Sequence, residues 1–361
     1  MSNHLRRERL SGVLAALCVV ACVGFSVTLT APGALTVWSF YVFGDLFTTL
    51  MVAGFFAFLN DSVDPDSAKR TYGLIGLGGV FGGVFGSMVI ASFIDLLDRS
   101  GWALVCAGLC TAVLLVAVAA GRALPRRERP LVPAALAREP SGARLVLASR
   151  YLLAILGIVS VYEIVSTLMD YQFSWTIAHY LDGDAIGRQF SRVFLITNVV
   201  SMCVQLFVTT PVMRRRGVTT ALLVLPMMAG LGSLGFAIVP ALWVGSLLNT
   251  CDNAFSYSIH QSAKESLYVP RTEAEKYKAK AFIDMFGQRV AKGVGVLLSL
   301  GVAQLFTGIF AVRSLSMVTL ALIVVWVYLA RYVGRRFDEA ASEGPRSPPM
   351  TASRRVLSTG A

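Results

Sequence analysis

The residues that suggest chemistry are charged side chains inside an otherwise apolar segment. Residues 281–306 carry Asp284, Arg289 and Lys292 within a run of apolar residues. Charges are costly inside a membrane helix, so they occur mainly where they contact a substrate, an ion or one another. Arg289 and Lys292 reinforce one another, and two such cations suit an anionic substrate, above all one with phosphate groups. The alternative is an internal salt bridge from Lys292 to an intramembrane aspartate.

Four acidic side chains also fall within apolar segments. Glu163 and Asp170 lie in the apolar run 151–179, at a spacing that places them on one helix face. Asp45 and Asp252 lie in two other apolar runs. We expect all four to line a substrate cavity, where they would compensate the two cations in the empty protein or bind a cation or a proton. The alternative is that each carboxyl group is paired for structural reasons or is protonated.

The composition is that of an integral membrane protein. Of the 361 residues, 55% are hydrophobic and 15% are charged, whereas soluble domains have about 25% charged residues. A transmembrane helix needs about 20 apolar residues, and the sequence offers about ten such runs. We therefore predict an all-α, polytopic fold embedded in the lipid bilayer. The predicted spans are 11–31, 37–59, 72–95, 102–120, 151–179, 190–210, 218–238, 241–262, 281–306 and 314–333.

The basic residues predict the topology of these spans. The net charge is +11, and an arrangement with a cytoplasmic N-terminus places 26 of the 32 Lys and Arg residues on the cytoplasmic side. Cytoplasmic connections of membrane proteins are enriched in Lys and Arg. We therefore expect a multi-pass protein of the cell's inner (plasma) membrane with both termini in the cytoplasm. No basic face with interleaved aromatic residues is evident, so nucleic acid is not an expected partner.

The chain divides at a long basic connection that contains several prolines. The predicted parts are an N-terminal four-helix bundle (1–120), a cytoplasmic linker (121–150), a C-terminal six-helix bundle (151–333) and a disordered cytoplasmic tail (334–361). The 24-residue spacing between Asp45 and Lys69 recurs after Asp252. Parallel repeats of this kind occur in two-bundle secondary transporters, whose substrate binds between the bundles.

The sequence contains no motif typical of an enzyme. Ser/His/Asp arrangements, HExxH and Walker sequences are not found. The six cysteines fall within apolar spans and lack the CxxC or Cys/His spacing of metal sites. We predict a protein that is not an enzyme, uses no cofactor or metal, and has a small-molecule partner. The sequence makes no prediction about the oligomeric state.

Three stretches resemble the nucleotide (ATP/ADP) transporters of plastids and intracellular bacteria, which are related to the major facilitator fold. The most specific is KESLYVPRTEAEKYKAKAFIDMFGQRVAKGVG, which resembles a KEMAYIP-type loop and a GKAAID helix and holds Lys292 in register. VWSFYVFGDLFTTLMVAGFFAFLNDSVDPDSAKRTYGLIGLGG resembles the family's fourth span and the start of its fifth, with Asp45 in place of a glutamate. NHLRRERLSGVLAALCVVACVGFSV resembles the segment before the third span, and Asp170 falls where the family carries an intramembrane glutamate.

The resemblance implies a major-facilitator-like pair of bundles that exchanges a nucleotide or another phosphate-bearing anion by alternating access. Arg289 and Lys292 would then bind the phosphates. The cytoplasmic gate would consist of Lys69, Arg70, Lys264, Glu265 and Asp284. Family members have twelve spans, so the resemblance implies that the first two are missing here. Asn253 and Ser256 stand where the family often carries lysines.

Two other functions are compatible with the sequence. One is a proton-coupled carrier of an unrelated small solute, which would depend on the four intramembrane carboxylates. The other is a non-transporting membrane scaffold or a truncated relic of a carrier.

Overall fold

The protein is helical in a computed structural model, with no strand among the residues that the structure describes. These are residues 7–62, 65–123, 140–269, 271–272, 275–306 and 308–342. The α-helices are α1 (Arg7–Thr28), α2 (Ala34–Ser62), α3 (Pro65–Phe93), α4 (Arg99–Ala123), α5 (Gly142–Ala148), α6 (Arg150–Tyr180), α7 (Asp184–Cys203), α8 (Thr210–Ile238), α9 (Leu242–Phe255), α10 (Gln261–Ser266), α11 (Lys280–Phe282), α12 (Gln288–Leu305) and α13 (Ile309–Ser342). The π-helical segments are π1 (Val204–Thr209), π2 (Ser256–His260), π3 (Glu275–Ala279) and π4 (Ile283–Gly287).

Glycines with positive φ separate several of these helices. Gly183 (φ 53°) precedes α7 and Gly308 (φ 60°) precedes α13. Glycine adopts this left-handed conformation without the steric penalty that a Cβ brings. Gly217 (φ 79°, ψ 173°) interrupts α8. It separates a short segment that ends in three arginines (210–216) from a longer apolar helix (218–238).

Every predicted span coincides with a helical stretch of the described residues, so the prediction of an all-α, polytopic fold is confirmed. Within the described ranges, four helical stretches are long and apolar enough to cross a membrane by themselves, and two further apolar helices are shorter. The four are Arg99–Val116, Arg150–Tyr180, Asp184–Ile238 and Ile309–Glu339, and the shorter ones are Ala15–Thr28 and Phe81–Phe93. The predicted spans 241–262 and 281–306 do not belong to this set; they fall on α9–π2–α10 and on α11–π4–α12.

The chain forms two compact units, unit 1 (residues 1–132) and unit 2 (residues 133–361). In unit 1, α1 packs against α2 and α4. The ring of Phe25 in α1 lies 5.2 Å from that of Phe40 in α2. The thiols of Cys22 in α1 and Cys110 in α4 hydrogen-bond to one another. Two cysteines that lie far apart in the sequence therefore meet between the two helices.

Two segments outside the predicted bundles are helical. Helix α5 lies within the predicted linker, where Val146 is fully buried and Gly142 lies so close to the backbone carbonyl of Lys278 that a Cβ would not fit. Helix α13 continues to Ser342, into the segment that we expected to be a disordered tail. The hydroxyl of Thr219 in α8 donates a hydrogen bond to Asp338 (3.1 Å), which ties this extension to unit 2.

The core of unit 2 forms where α6, α8, α9 and α13 pack together, with Trp326, Phe236 and Met169 among its fully buried side chains. Lipid is as apolar as these side chains, so close packing and not water exclusion holds membrane helices together. Helix α12 packs against α6, and a Cβ added to Gly295 would lie 2.8 Å from the Cβ of Thr167. Glycine at this position therefore permits the close approach of the two helices.

Candidate substrate site

Three predicted carboxylates of unit 2 each accept a hydrogen bond from a neutral side chain. Gln288 Nε2 lies 3.1 Å from Glu163 Oε1. Asn249 Nδ2 lies 2.8 Å from Asp170 Oδ1. The hydroxyl of Ser166 donates to Asp252 Oδ2 over 2.6 Å. These bonds connect α6 to α9 and α12, because each donor and its acceptor belong to different helices.

The three carboxylates differ in their access to the surface. Asp170 is exposed, Glu163 is half-buried, and Asp252 is 0% exposed. Asp170 and Glu163 lie on α6, whereas Asp252 lies behind them on α9. The expected spacing of acidic residues on one face of α6 is therefore present, and α9 adds a buried acid to it.

The two predicted substrate cations lie on the exposed side of α12. Arg289 and Lys292 are both exposed. The positive charges of Lys292 and Arg289 act on the carboxylate of Glu163, and Lys292 also acts on Asp170. Unit 2 thus brings together five of the six residues that we predicted to bind substrate, namely Glu163, Asp170, Asp252, Arg289 and Lys292. Their assignment to a substrate stays a prediction.

The sixth predicted residue, Asp45, belongs to α2 of unit 1, where it is exposed. The predicted gate residues Lys69 and Arg70 fall within α3, but their side chains lie outside the described residues. The contribution of these three residues to a site stays a prediction.

The other predicted gate residues form two ion pairs within unit 2. Lys264 Nζ lies 3.4 Å from Asp284 Oδ1, with side-chain exposures of 8% and 26%. Lys280 Nζ lies 2.5 Å from Glu265 Oε2. Both pairs join the C-terminal side of α10 to the α11–π4 segment, so they fasten the two ends of the intervening loop.

Aromatic residues surround the same loop. The hydroxyl of Tyr151 donates to the carbonyl of Leu267 (2.9 Å), and the guanidinium of Arg271 lies 3.8 Å above the Tyr151 ring. Burial, followed by the nearby carboxylates of Asp284 and Glu265, raises the pKa of Tyr268, so its phenol stays neutral. These contacts hold Leu267 and Arg271 of the loop against the start of α6.

Two π-helical segments shape the site. Segment π2 follows Asp252, and π4 contains Asp284 and precedes Arg289. A π-helical turn contains an additional residue and rotates the residues after it relative to an uninterrupted α-helix, and such turns are common at functional sites. An uninterrupted α-helix would carry Asp284, Gln288 and Lys292 at four-residue steps along one face. In the structure Asp284 reaches Lys264 of α10, whereas Gln288 reaches Glu163 of α6.

Sequence reasoning missed Asn249 as a member of the site. It is 3% exposed and lies one turn before Asp252 on α9. The signal was an amide side chain inside an apolar run at a helical spacing from a charged residue. Among the described residues no group of three or more His, Cys, Asp or Glu side chains is arranged to hold a metal ion.

Residues 237–337 match the family model described as TLC ATP/ADP transporter. This range includes Asp252, Lys264, Asp284, Arg289 and Lys292. The match therefore covers the α9–α12 side of the site and leaves out the α6 carboxylates.

Curated proteins similar to this chain bear the names of ADP,ATP carriers or ATP/ADP transporters. It is 26% identical over 347 residues to ADP,ATP carrier protein 1 of Chlamydia muridarum, an alignment that covers 84% of this chain and 66% of the relative. It is 22% identical over 348 residues to the plastidic ATP/ADP-transporter of Solanum tuberosum, covering 86% and 55% of the two chains. The chain thus spans about two thirds of the length of the chlamydial relative. These relatives support the prediction of a transporter and not an enzyme.

Solved structures also resemble this chain, and one of them is an example of the shared fold. It is a bacterial homologue of the human lysosomal transporter Spinster in an inward-facing, unoccupied conformation. The TM-score is 0.58 at 14% sequence identity, with 91% of this chain and 84% of that chain covered. At this identity the likeness concerns the fold alone, and it supports the all-α, polytopic architecture.

Proposed function

We propose that this chain, which is related to the ATP/ADP transporter family, is a secondary membrane transporter that binds and exchanges a nucleotide or another phosphate-bearing anion. Exchange would proceed by alternating access in a major-facilitator-like architecture. We further propose that the protein is a multi-pass component of the inner membrane with both termini in the cytoplasm, as its basic residues suggest.

Support for anion transport comes from one feature, the exposed cations Arg289 and Lys292 of α12 beside the carboxylates of α6. Lys292 acts electrostatically on both Glu163 and Asp170. In the empty protein these carboxylates compensate the cations. A phosphate-bearing anion would replace the carboxylates as the partner of the cations, because charge-assisted contacts to phosphate are among the strongest hydrogen bonds in proteins. The two cations would thus exchange one anionic partner for another, and binding of the substrate would release Glu163 and Asp170 from them.

Counter-exchange in liposomes tests this function. Purified protein would be reconstituted with or without internal ADP, and uptake of labelled ATP would be measured. We expect uptake only with internal nucleotide, and Lys292→Ala should reduce the rate at subsaturating ATP about tenfold or more, because a hydrogen bond to a charged group contributes about 1.5–3 kcal/mol. Arg335→Ala, which removes an exposed cation near the end of α13, is the matched control.

Two results would contradict nucleotide exchange: uptake that does not depend on internal nucleotide, or exchange that is unchanged in Lys292→Ala.

The cluster of three carboxylates, Glu163, Asp170 and Asp252, favours a second candidate function, that of a proton-coupled carrier of another solute. Transport of that solute would follow the pH gradient and would survive the loss of Lys292. A protein that moves no solute under either condition would fit the remaining alternative, a non-transporting membrane scaffold or a truncated relic of a carrier.

A further inference from the structure

Two buried oxygen atoms, one of the Asp252 carboxylate and one of a neighbouring amide group, have no hydrogen-bond partner among the described residues. They are Asp252 Oδ1 and Asn249 Oδ1. Asp252 is 0% exposed and Asn249 is 3% exposed. An unpartnered polar group in such a position is destabilising by about 1–3 kcal/mol. Both atoms are acceptors, so the partner that each of them lacks is a positively charged or proton-donating group.

The two acceptors belong to a square of four side chains on two facing helices. Asn249 and Asp252 lie three residues apart on α9, and Ser166 and Asp170 lie four residues apart on α6, so each pair shares a helix face. Asn249 donates to Asp170, and Ser166 donates to Asp252, which closes the square on both sides. Asn249 Nδ2 and the Ser166 hydroxyl each donate one hydrogen bond within the square, and the buried atoms without a partner are both oxygens.

The charges around Asp252 favour a cation. Among the described residues, the charged groups that act on it are the carboxylates of Asp170 and Glu163. The other titratable groups coupled to it are Tyr162 of α6, Tyr257 of π2 and its neighbour Cys251. An isolated ionised carboxylate in a membrane interior is very costly, so it binds a cation or takes up a proton.

We propose that Ser166, Asp170, Asn249 and Asp252 form a binding site for one monovalent cation, either a proton or Na⁺. Carboxylate, amide carbonyl and hydroxyl oxygens are the ligands that hard cations prefer. A proton would reside on Asp252 and donate to a neighbouring acceptor, whereas Na⁺ would be held by oxygens of both helices. The exposed Asp170 gives the buried part of the site access to the surface of unit 2. As a coupling site this square rests on the proposed function, but as a binding site it does not.

Cation binding can be measured without substrate, so its failure is distinguishable from a failure of nucleotide exchange. The full chain in detergent would be melted in NaCl or in choline chloride at constant pH and ionic strength. If Na⁺ is the ligand, the melting temperature should rise saturably with Na⁺, and this shift should disappear in Asp252→Asn. Asn249→Leu should raise the half-saturating Na⁺ concentration about tenfold through the loss of one ligand oxygen. Asp182→Asn, which alters a loop carboxylate outside the square, should leave the shift unchanged.

Infrared spectroscopy of the same samples distinguishes the proton. If a proton is the ligand, the melting temperature should be independent of Na⁺, and the protein should show the C=O stretching band of a buried protonated carboxyl group. That band should be lost in Asp252→Asn and should change frequency in Asn249→Leu. A wild-type protein with neither a Na⁺-dependent melting temperature nor such a band would overturn the proposal, because water alone would then satisfy the two acceptors. This decision needs only the wild-type protein, so a variant that fails to fold does not affect it.

Discussion

Lys264 illustrates how single residues define this site. It is 6% exposed, and its ammonium group is held by Asp284 on the far side of a loop. A buried ion pair adds little net stability over apolar packing, but removing one partner leaves an uncompensated charge. Lys264 and Asp284 should therefore depend on one another much more than on the residues around them.

A double-mutant cycle tests this dependence. Lys264→Ala, Asp284→Ala and the double variant would be compared by chemical denaturation in mixed micelles. We expect a coupling energy of about 0.5–3 kcal/mol, the range for contacting residues in one network. The matched control is the exposed pair of Arg336 and Glu339 (3.2 Å), for which solvent screening should leave no measurable coupling. Equal coupling in the two pairs would show that Lys264 and Asp284 do not form a buried pair.

Residue types predicted the charged members of the site, and side-chain orientation determined the rest. Glu163, Asp170 and Lys292 stood out because a charge in an apolar run is conspicuous in any register. The role of Asn249 could not be read in the same way, because its contact with Asp170 depends on the rotation of α9 relative to α6. The ion pair of Lys280 with Glu265 depends likewise on the path of the loop between them.

At the scale of elements, α12 is positioned by its close approach to α6. Gly295 is buried against Thr167, whose hydroxyl donates to the carbonyl of Glu163 (2.7 Å) and so has little freedom to move. Gly293, on the same helix, would meet no atom within 4 Å if it carried a Cβ. The two glycines therefore separate the effect of crowding from the effect of helix propensity.

Alanine substitutions at the two positions should have opposite results. Gly295→Ala should destabilise the protein by about 1–3 kcal/mol, since a methyl group in a packed contact forces neighbouring atoms to shift. Gly293→Ala should be neutral or stabilising by up to about 1 kcal/mol, because alanine favours the helix over glycine. The measurement is the melting temperature of each variant in detergent. A stable Gly295→Ala variant would mean that α12 and α6 are further apart than described here.

The elements themselves could be predicted from the length of the apolar runs. The ends were less predictable, as α13 shows by continuing to Ser342 through a contact with α8 that lies far away in the sequence. The π-helical segments could not be predicted, because an extra residue in a helical turn leaves no mark on hydrophobicity. They are also the reason why two of the predicted spans are divided into shorter helices.

At the scale of the whole molecule, the distribution of basic residues predicts which connections face the cytoplasm. Of the 32 Lys and Arg residues, 26 fall on the side that we assign to the cytoplasm. Single cysteines placed in a variant without the six native ones would report this directly. We expect Arg215→Cys to react with an impermeant thiol reagent only after the membrane is opened and Asp182→Cys to react in intact cells. The opposite pattern would invert the topology.

The number of residues in segment π4 determines the direction in which the side chains of α12 point, whatever the identity of those residues. Successive residues of an α-helix are rotated by about 100° about its axis, as 3.6 residues per turn require. Losing any one residue from Ile283–Gly287 would therefore turn Arg289 and Lys292 by about that angle, away from Glu163 and Asp170, while every side chain of the site remained present. The rotation of α12 about its axis therefore depends on the number of residues before it and not on which residues the helix contains. A relative could keep all the charged residues and still lack the site through a single deletion.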